Sequence, residues 1–120
     1  MYNRRTMDHF LNPRNVGSVD GPTGMAENED CGDVATISLR VDGEQIVEAR
    51  FQTTGCSGAI ACCSAVTELL TGSALQVASE LTAEDVIDYL DGLPTDKRGC
   101  AKMAAMAGLK AVRDALGAGD

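Results

Sequence analysis

Apolar and polar positions alternate from residue 34 onward. Ala35, Ile37, Leu39 and Val41 interleave with Val34, Thr36, Ser38 and Arg40, which predicts a strand with the first set facing a core and the second facing water. Asp42-Gly43 signals a hairpin turn. A second strand is expected over 45–53, anchored by Ile46 and Phe51. The two form an antiparallel pair with one wet face. Upstream, residues 17–32 are rich in Gly, Asp, Glu and Asn and read as an extended or looping segment, with an edge strand around Gly24–Glu27. Asp8–Leu11 suits one or two helical turns, stopped at Asn12-Pro13 because the residue before Pro is pushed away from helical angles.

The period changes at Gly58. Ala59, Cys63, Val66 and Leu70 fall on one face of a helix that Gly72 closes. A short helix is expected over 74–79. Thr82 and Asp85 resemble a capping box ahead of a helix carrying Val86, Ile87 and Leu90, which stops at Gly92-Leu93-Pro94. The last helix begins near Arg98–Cys100 and presents Ala101, Ala105, Gly108, Val112 and Leu116 on one face. Strands first and helices afterwards predict an α+β fold, with helices packed on one face of a small antiparallel sheet. A length of 120 residues suggests one domain over 1–120, long enough to bury a core without disulfide staples.

Composition narrows the function. With two Tyr, two Phe and no Trp, the core has to be built from Val, Ile, Leu, Met and Ala. The formal net charge is −8, from ten Lys and Arg against eighteen Asp and Glu. That balance argues against a nucleic-acid binder, whose affinity rests on phosphate contacts. Acidity keeps a protein soluble and also suits docking on a basic protein partner. No apolar run approaches the roughly 20 residues of a membrane helix. Arg4 and Arg5 are not followed by the apolar stretch of a secretory signal. The expected location is cytoplasmic, with no membrane contact.

Five cysteines are many for such a chain. Disulfides are rare in a reducing compartment, and an odd number cannot pair completely. Metal binding or thiol chemistry is the better reading, with one or two cysteines left as small buried hydrophobes. Cys31 precedes the first hairpin strand, Cys56 lies between the second strand and a helix, and Cys100 opens the last helix. Such junctions are where sites are built. Cys56 and Cys100 are each expected near a helix N-terminus, which lowers a thiol pKa and favours the thiolate that binds metal or attacks a persulfide. No Cys-x-x-Cys pair is present, so a shared site would need the fold to close long sequence gaps.

Several blocks occur in order along nearly the whole chain. They are Asp8-His9-Phe10 with Asn12-Pro13-Arg14-Asn15-Val16-Gly17, then Cys31-Gly32-Asp33, Phe51 and Gly55-Cys56. Ala59-Ile60-Ala61, Ser64, Thr67-Glu68, Gly72, Leu93-Pro94, Lys97 and Cys100 complete the set. With these the chain resembles the U-type iron–sulfur cluster assembly scaffolds, the family of IscU and the N-terminal domain of NifU. The resemblance implies a three-stranded antiparallel sheet with helices on one side, and a scaffold or carrier rather than an enzyme. It implies that an IscS- or NifS-type cysteine desulfurase delivers persulfide sulfur, that iron joins it, and that a [2Fe–2S] cluster passes to apo acceptor proteins. It makes Cys31, Cys56 and Cys100 the functional cysteines, Asp33 a ligand at the site, and Cys100 the persulfide acceptor. Zinc is an alternative occupant of the isolated protein. A carboxylate is a harder ligand than thiolate, which suits a transient hold on the cluster.

The chain also departs from that family. His commonly precedes the last cysteine, but here the position is Gly99. The one His, His9, belongs to the N-terminal motif and reads as a local structural or surface residue. The fourth ligand is thus open among Asp33, water, a partner residue and another cysteine. Cys62 and Cys63 stand where the family has small residues. They read as helix residues under the site, Cys63 buried, with the sharper alternative that one is a fourth ligand or stores sulfur. Leu93-Pro94-Thr95-Asp96-Lys97 differs from the Leu-Pro-Pro-Val-Lys that an Hsp70-type chaperone reads in the IscU branch, which leaves chaperone use open. Tyr2 matches a family Tyr linked to dimer contact, so a homodimer is one expectation. Zinc-bearing relatives that relay persulfide usually carry an insertion between the second and third cysteines, which this chain lacks. A purely structural zinc module would not need Cys56 and Cys100 at helix starts.

Overall fold

The alternating segments become three strands in a computed structural model that describes residues 2–117. They are β1 (Thr23–Asn28), β2 (Asp33–Asp42) and β3 (Gln45–Thr53), in the spatial order β1-β2-β3 and antiparallel throughout. Five helices accompany them: α1 (Arg4–Leu11), α2 (Ser57–Leu70), α3 (Leu75–Ala78), α4 (Ala83–Tyr89) and α5 (Arg98–Gly117). A 3-10 turn over Thr95–Lys97 runs straight into α5. The α+β architecture with a three-stranded antiparallel sheet is as the residues predict.

Ile46 and Phe51 are an odd number of residues apart, so a regular strand would point them to opposite faces. Both are buried. The register explains this: Arg40 pairs with Glu48 but Val41 pairs with Ile46, which leaves Val47 as an extra residue. The bulge switches the parity. Ile46, Ala49 and Phe51 therefore share the core face, and Val47 is exposed. Ser38 corrects its predicted water-facing place. It is buried, because the loop before β1 lies over it, and its Oγ accepts a 3.0 Å hydrogen bond from the Val19 N–H.

α2 and α5 pack on the sheet and on each other. α2 is buried nearly all round, which its run of Ala, Cys and Ser side chains makes sterically possible. Along α5 the buried stripe is broader than predicted, running from Cys100 to Val112. Leu116 is exposed instead, since it sits in the last turn of a 20-residue helix, beyond the neighbours that cover Val112. The capping box of α4 forms as expected. Thr82 Oγ1 accepts from the Asp85 N–H at 3.1 Å and Asp85 Oδ2 accepts from the Thr82 N–H at 2.9 Å. Among the described residues no helix is long and apolar enough to cross a membrane.

The N-terminal motif is a clasp. α1 begins earlier than Asp8 because Asn3 caps it, accepting from the Thr6 N–H at 2.8 Å. The Asn3 amide also donates to the Leu90 and Gly92 carbonyls, tying α1 to the end of α4. Asn15 and Gly17 exchange backbone hydrogen bonds with Phe51 of β3. His9 is 3% exposed, with Nδ1 2.8 Å from Ser64 Oγ and Nε2 3.5 Å from Glu68 Oε1. The Arg14 N–H also donates to Ser64 Oγ. A neutral ring that accepts the Ser64 proton at Nδ1 satisfies this network.

Burial above all, and the Arg14 charge after it, push the His9 pKa below 6.5 against the pull of Glu68. The unfolded chain then takes up this proton first as pH falls. The contribution to stability is complete above about pH 6.5 and is lost as pH drops below it. Urea titrations between about pH 7 and pH 5 are expected to show a shallower loss in His9→Asn than in the wild-type chain. Equal losses would contradict the assignment.

Candidate functional site

Three separate junctions bring the predicted residues to one place. Cys31 lies in the turn between β1 and β2, and Asp33 is the first residue of β2. Cys56 is the N-cap residue of α2. Cys100 is the third residue of α5. All four line one cavity of about 410 Å³, together with Lys97 and Gly99. The side chains stand as two pairs. Cys31 Sγ donates to Asp33 Oδ2 at 3.2 Å, and Cys56 Sγ lies 3.9 Å from Cys100 Sγ. Among the described residues no three His, Cys, Asp or Glu side chains are grouped closely enough to hold one metal ion as they stand.

Two glycines permit these approaches. A Cβ on Gly55 would stand 3.0 Å from Asp33 Oδ2, so the bare backbone lets the carboxylate reach the Cys56 loop. A Cβ on Gly58 would stand 3.4 Å from Cys100 Sγ, 3.2 Å from the Lys97 stem and 3.0 Å from Tyr2 Oη. Tyr2 Oη also accepts a 3.1 Å hydrogen bond from Ser57 Oγ, which ties the N-terminal Tyr to the first turn of α2.

The thiols differ in character. Burial alone would raise the Cys56 pKa, but the Ala59 and Gly58 N–H groups, the Cys100 thiol and the Lys97 charge together bring it below its ordinary value. These N–H groups belong to the first turn of α2, so the helix start acts on the sulfur through its unpaired backbone donors. Cys100 corrects the expectation of an activated thiol at a helix start. It is 3% exposed, and burial, followed by the charge of Cys56 beside it, pushes its pKa up to about 12. Of the pair, Cys56 is thus the thiol that gives up its proton more readily. At exposed Cys31 the Asp33 N–H lowers the thiol pKa, but the Asp33 carboxylate and partial desolvation outweigh it and the shift is upward.

Cys62 and Cys63 do not line the cavity; both are 0% exposed within the core. Burial pushes Cys62 well above its ordinary value and Cys63 up to about 12, as for inert thiols. His9 does not line the cavity and is held by Ser64, as the local structural reading has it. At Gly99, a Cβ would stand 3.1 Å from Asn28 Nδ2, so the Asn28 amide fills the space beside this position. Lys97 stands in the sequence only as part of a motif, and the fold gives it a place at the site. Lys97 Nζ lies 3.7 Å from Cys56 Sγ. Its spacing three residues before Cys100 at a helix start is the signal that places both on one side.

The NifU-like N terminal domain family matches residues 1–117. The chain is 40% identical over 116 residues to iron-sulfur cluster assembly scaffold protein IscU 1 of Archaeoglobus fulgidus, covering 95% of this chain and 76% of that one. It is also 40% identical over 119 residues to IscU of Escherichia coli K12, covering 94% and 92% of the two chains. Its fold is similar, at TM-score 0.76 and 21% identity, to a candidate SUF-system scaffold from Fervidobacterium islandicum AW-1, over 92% of this chain and 96% of that one. This chain belongs to the NifU-like N terminal domain family, the U-type scaffold class.

Proposed function

We propose that this chain is a one-domain scaffold for iron–sulfur cluster assembly, taking persulfide sulfur from a cysteine desulfurase and passing the cluster to apo acceptor proteins. The observation that carries this is the meeting of Cys31, Asp33, Cys56 and Cys100 at one cavity from three distant stretches of chain. Relatives at 40% identity are named as such scaffolds. In this reading the cargo is a [2Fe–2S] cluster and the four residues are its ligands. Cys56, the thiol with the lowered pKa, meets iron first, because thiolate is the binding form. Cys100 accepts the sulfur, and its thiol proton passes to the departing donor thiolate. Zinc suits the same thiolate and carboxylate donors and competes for them. Cys62 and Cys63 serve as small core residues.

The test is anaerobic incubation of the full chain with iron, cysteine and a desulfurase, read by visible absorption and Mössbauer spectroscopy. The expected product is a [2Fe–2S] chromophore that an apo acceptor protein removes. Tight zinc binding with desulfurase stimulation and no chromophore would replace this reading with that of a zinc-bearing sulfur acceptor.

A further inference from the structure

The cavity lining carries both signs of charge. Asp30, Asp33 and Asp96 line it, and Lys97 is the one Lys or Arg among its lining residues. Three carboxylates suit an arriving iron cation, which a lysine ammonium opposes. Among the described residues Lys97 makes no ion pair with a carboxylate. Its Nζ is instead 3.7 Å from Cys56 Sγ, on the side where the Cys56 and Cys100 sulfurs lie 3.9 Å apart. The stem is seated too, with Cδ 3.2 Å from the Cβ position of Gly58 and Cys100 Sγ 3.4 Å from that same point. The lone cation of the cavity is thus held where sulfur would arrive.

We propose that Lys97 is the anion-docking residue of sulfur loading, its ammonium holding the terminal sulfur of the donor's persulfide against Cys100 while the S–S bond exchanges. The inference rests on Cys100 as the acceptor. In the step, Cys100 Sγ attacks the donor's terminal sulfur, the donor S–S bond breaks and a Cys100–S bond forms. The donor cysteine leaves as a thiolate and takes up the Cys100 proton. No net oxidation or reduction occurs. Lys97 offsets the negative charge that the exchanging sulfurs share, which a compact ammonium does well in a partly enclosed cavity. A merely structural lysine would affect charged and neutral reagents alike.

The experiment compares two small probes at Cys100 in the full-length chain: dianionic inorganic tetrasulfide and neutral methyl methanethiosulfonate. Tandem mass spectrometry of tryptic peptides reads the rate of each adduct. The ratio of the two rates cancels the thiolate fraction, which both reactions share. In Lys97→Met and Lys97→Gln the tetrasulfide-to-neutral ratio is expected to fall about tenfold. Lys97→Arg keeps the ratio within about twofold, because it keeps the charge. Added salt moves the wild-type ratio toward that of Lys97→Met. A ratio unchanged in both neutral variants, with Cys100 still loading, overturns this inference alone. Failure of wild-type Cys100 to take sulfur overturns the acceptor reading and this inference with it.

Discussion

A Cys56→Ala chain is expected to accumulate far less [2Fe–2S] cluster than the wild-type chain under the same conditions. Of the three cysteines at the cavity, Cys56 is the one whose thiol pKa lies below its ordinary value. Cys100 is pushed up to about 12, and Cys31 is raised as well. Removing Cys56 takes away the best-prepared thiolate and one bond to the cargo together. The chromophore yield should drop by more than about tenfold, since even outer residues of metal sites cost that much. Cys62→Ala and Cys63→Ala are the controls, because both side chains lie in the core outside the cavity. Each leaves a small void costing about 1 kcal/mol of stability and leaves the yield unchanged. Cluster retained in Cys56→Ala, or lost in a Cys63→Ala chain that still folds, would contradict the ligand assignment.

The contrast between Cys56 and Cys100 marks where sequence reading stops. Both cysteines can be placed at helix starts from glycine spacing and period alone, and both are there. Their protonation cannot be read that way. It depends on the tertiary packing that buries Cys100 and sets its Sγ beside that of Cys56. Once two sulfurs lie 3.9 Å apart, one negative charge suppresses the other, whatever the helix dipole offers.

The fold shows the same division. Alternation and capping chemistry locate the hairpin and α4, because those signals are local. The bulge at Val47 was signalled only by the conflicting parity of Ile46 and Phe51. The roles of Asn3 and Lys97 were hidden for a different reason. Asn3 holds the end of α4, 87 residues away for its bond to Leu90, and no local pattern records such a partner. In the sequence His9 reads as a local structural or surface residue, and its bond to Ser64 and those of Asn15 to Phe51 show the clasp that it serves.

An Asp33→Ala chain is expected to hold its cluster longer than the wild-type chain, not to lose it. Asp33 Oδ2 accepts from Cys31 Sγ at 3.2 Å, and the bare backbone of Gly55 lets the carboxylate lie against the Cys56 loop. Its oxygen is a harder ligand than sulfur, so its bond to cluster iron is the weakest of the proposed four. Water or an acceptor's thiolate can enter there first. The same carboxylate also raises the Cys31 thiol, while the Asp33 N–H lowers it. Alanine removes the first effect and keeps the second, which makes Cys31 a better thiolate. Both changes act in one direction. Transfer to an apo acceptor, followed by loss of the visible chromophore, should slow about tenfold, equal to about 1.4 kcal/mol in the barrier. Faster loss in Asp33→Ala would instead make the carboxylate a ligand that the cluster cannot do without. Asp33→Cys separates the two cases, because a fourth thiolate slows transfer further if the oxygen is the exit point.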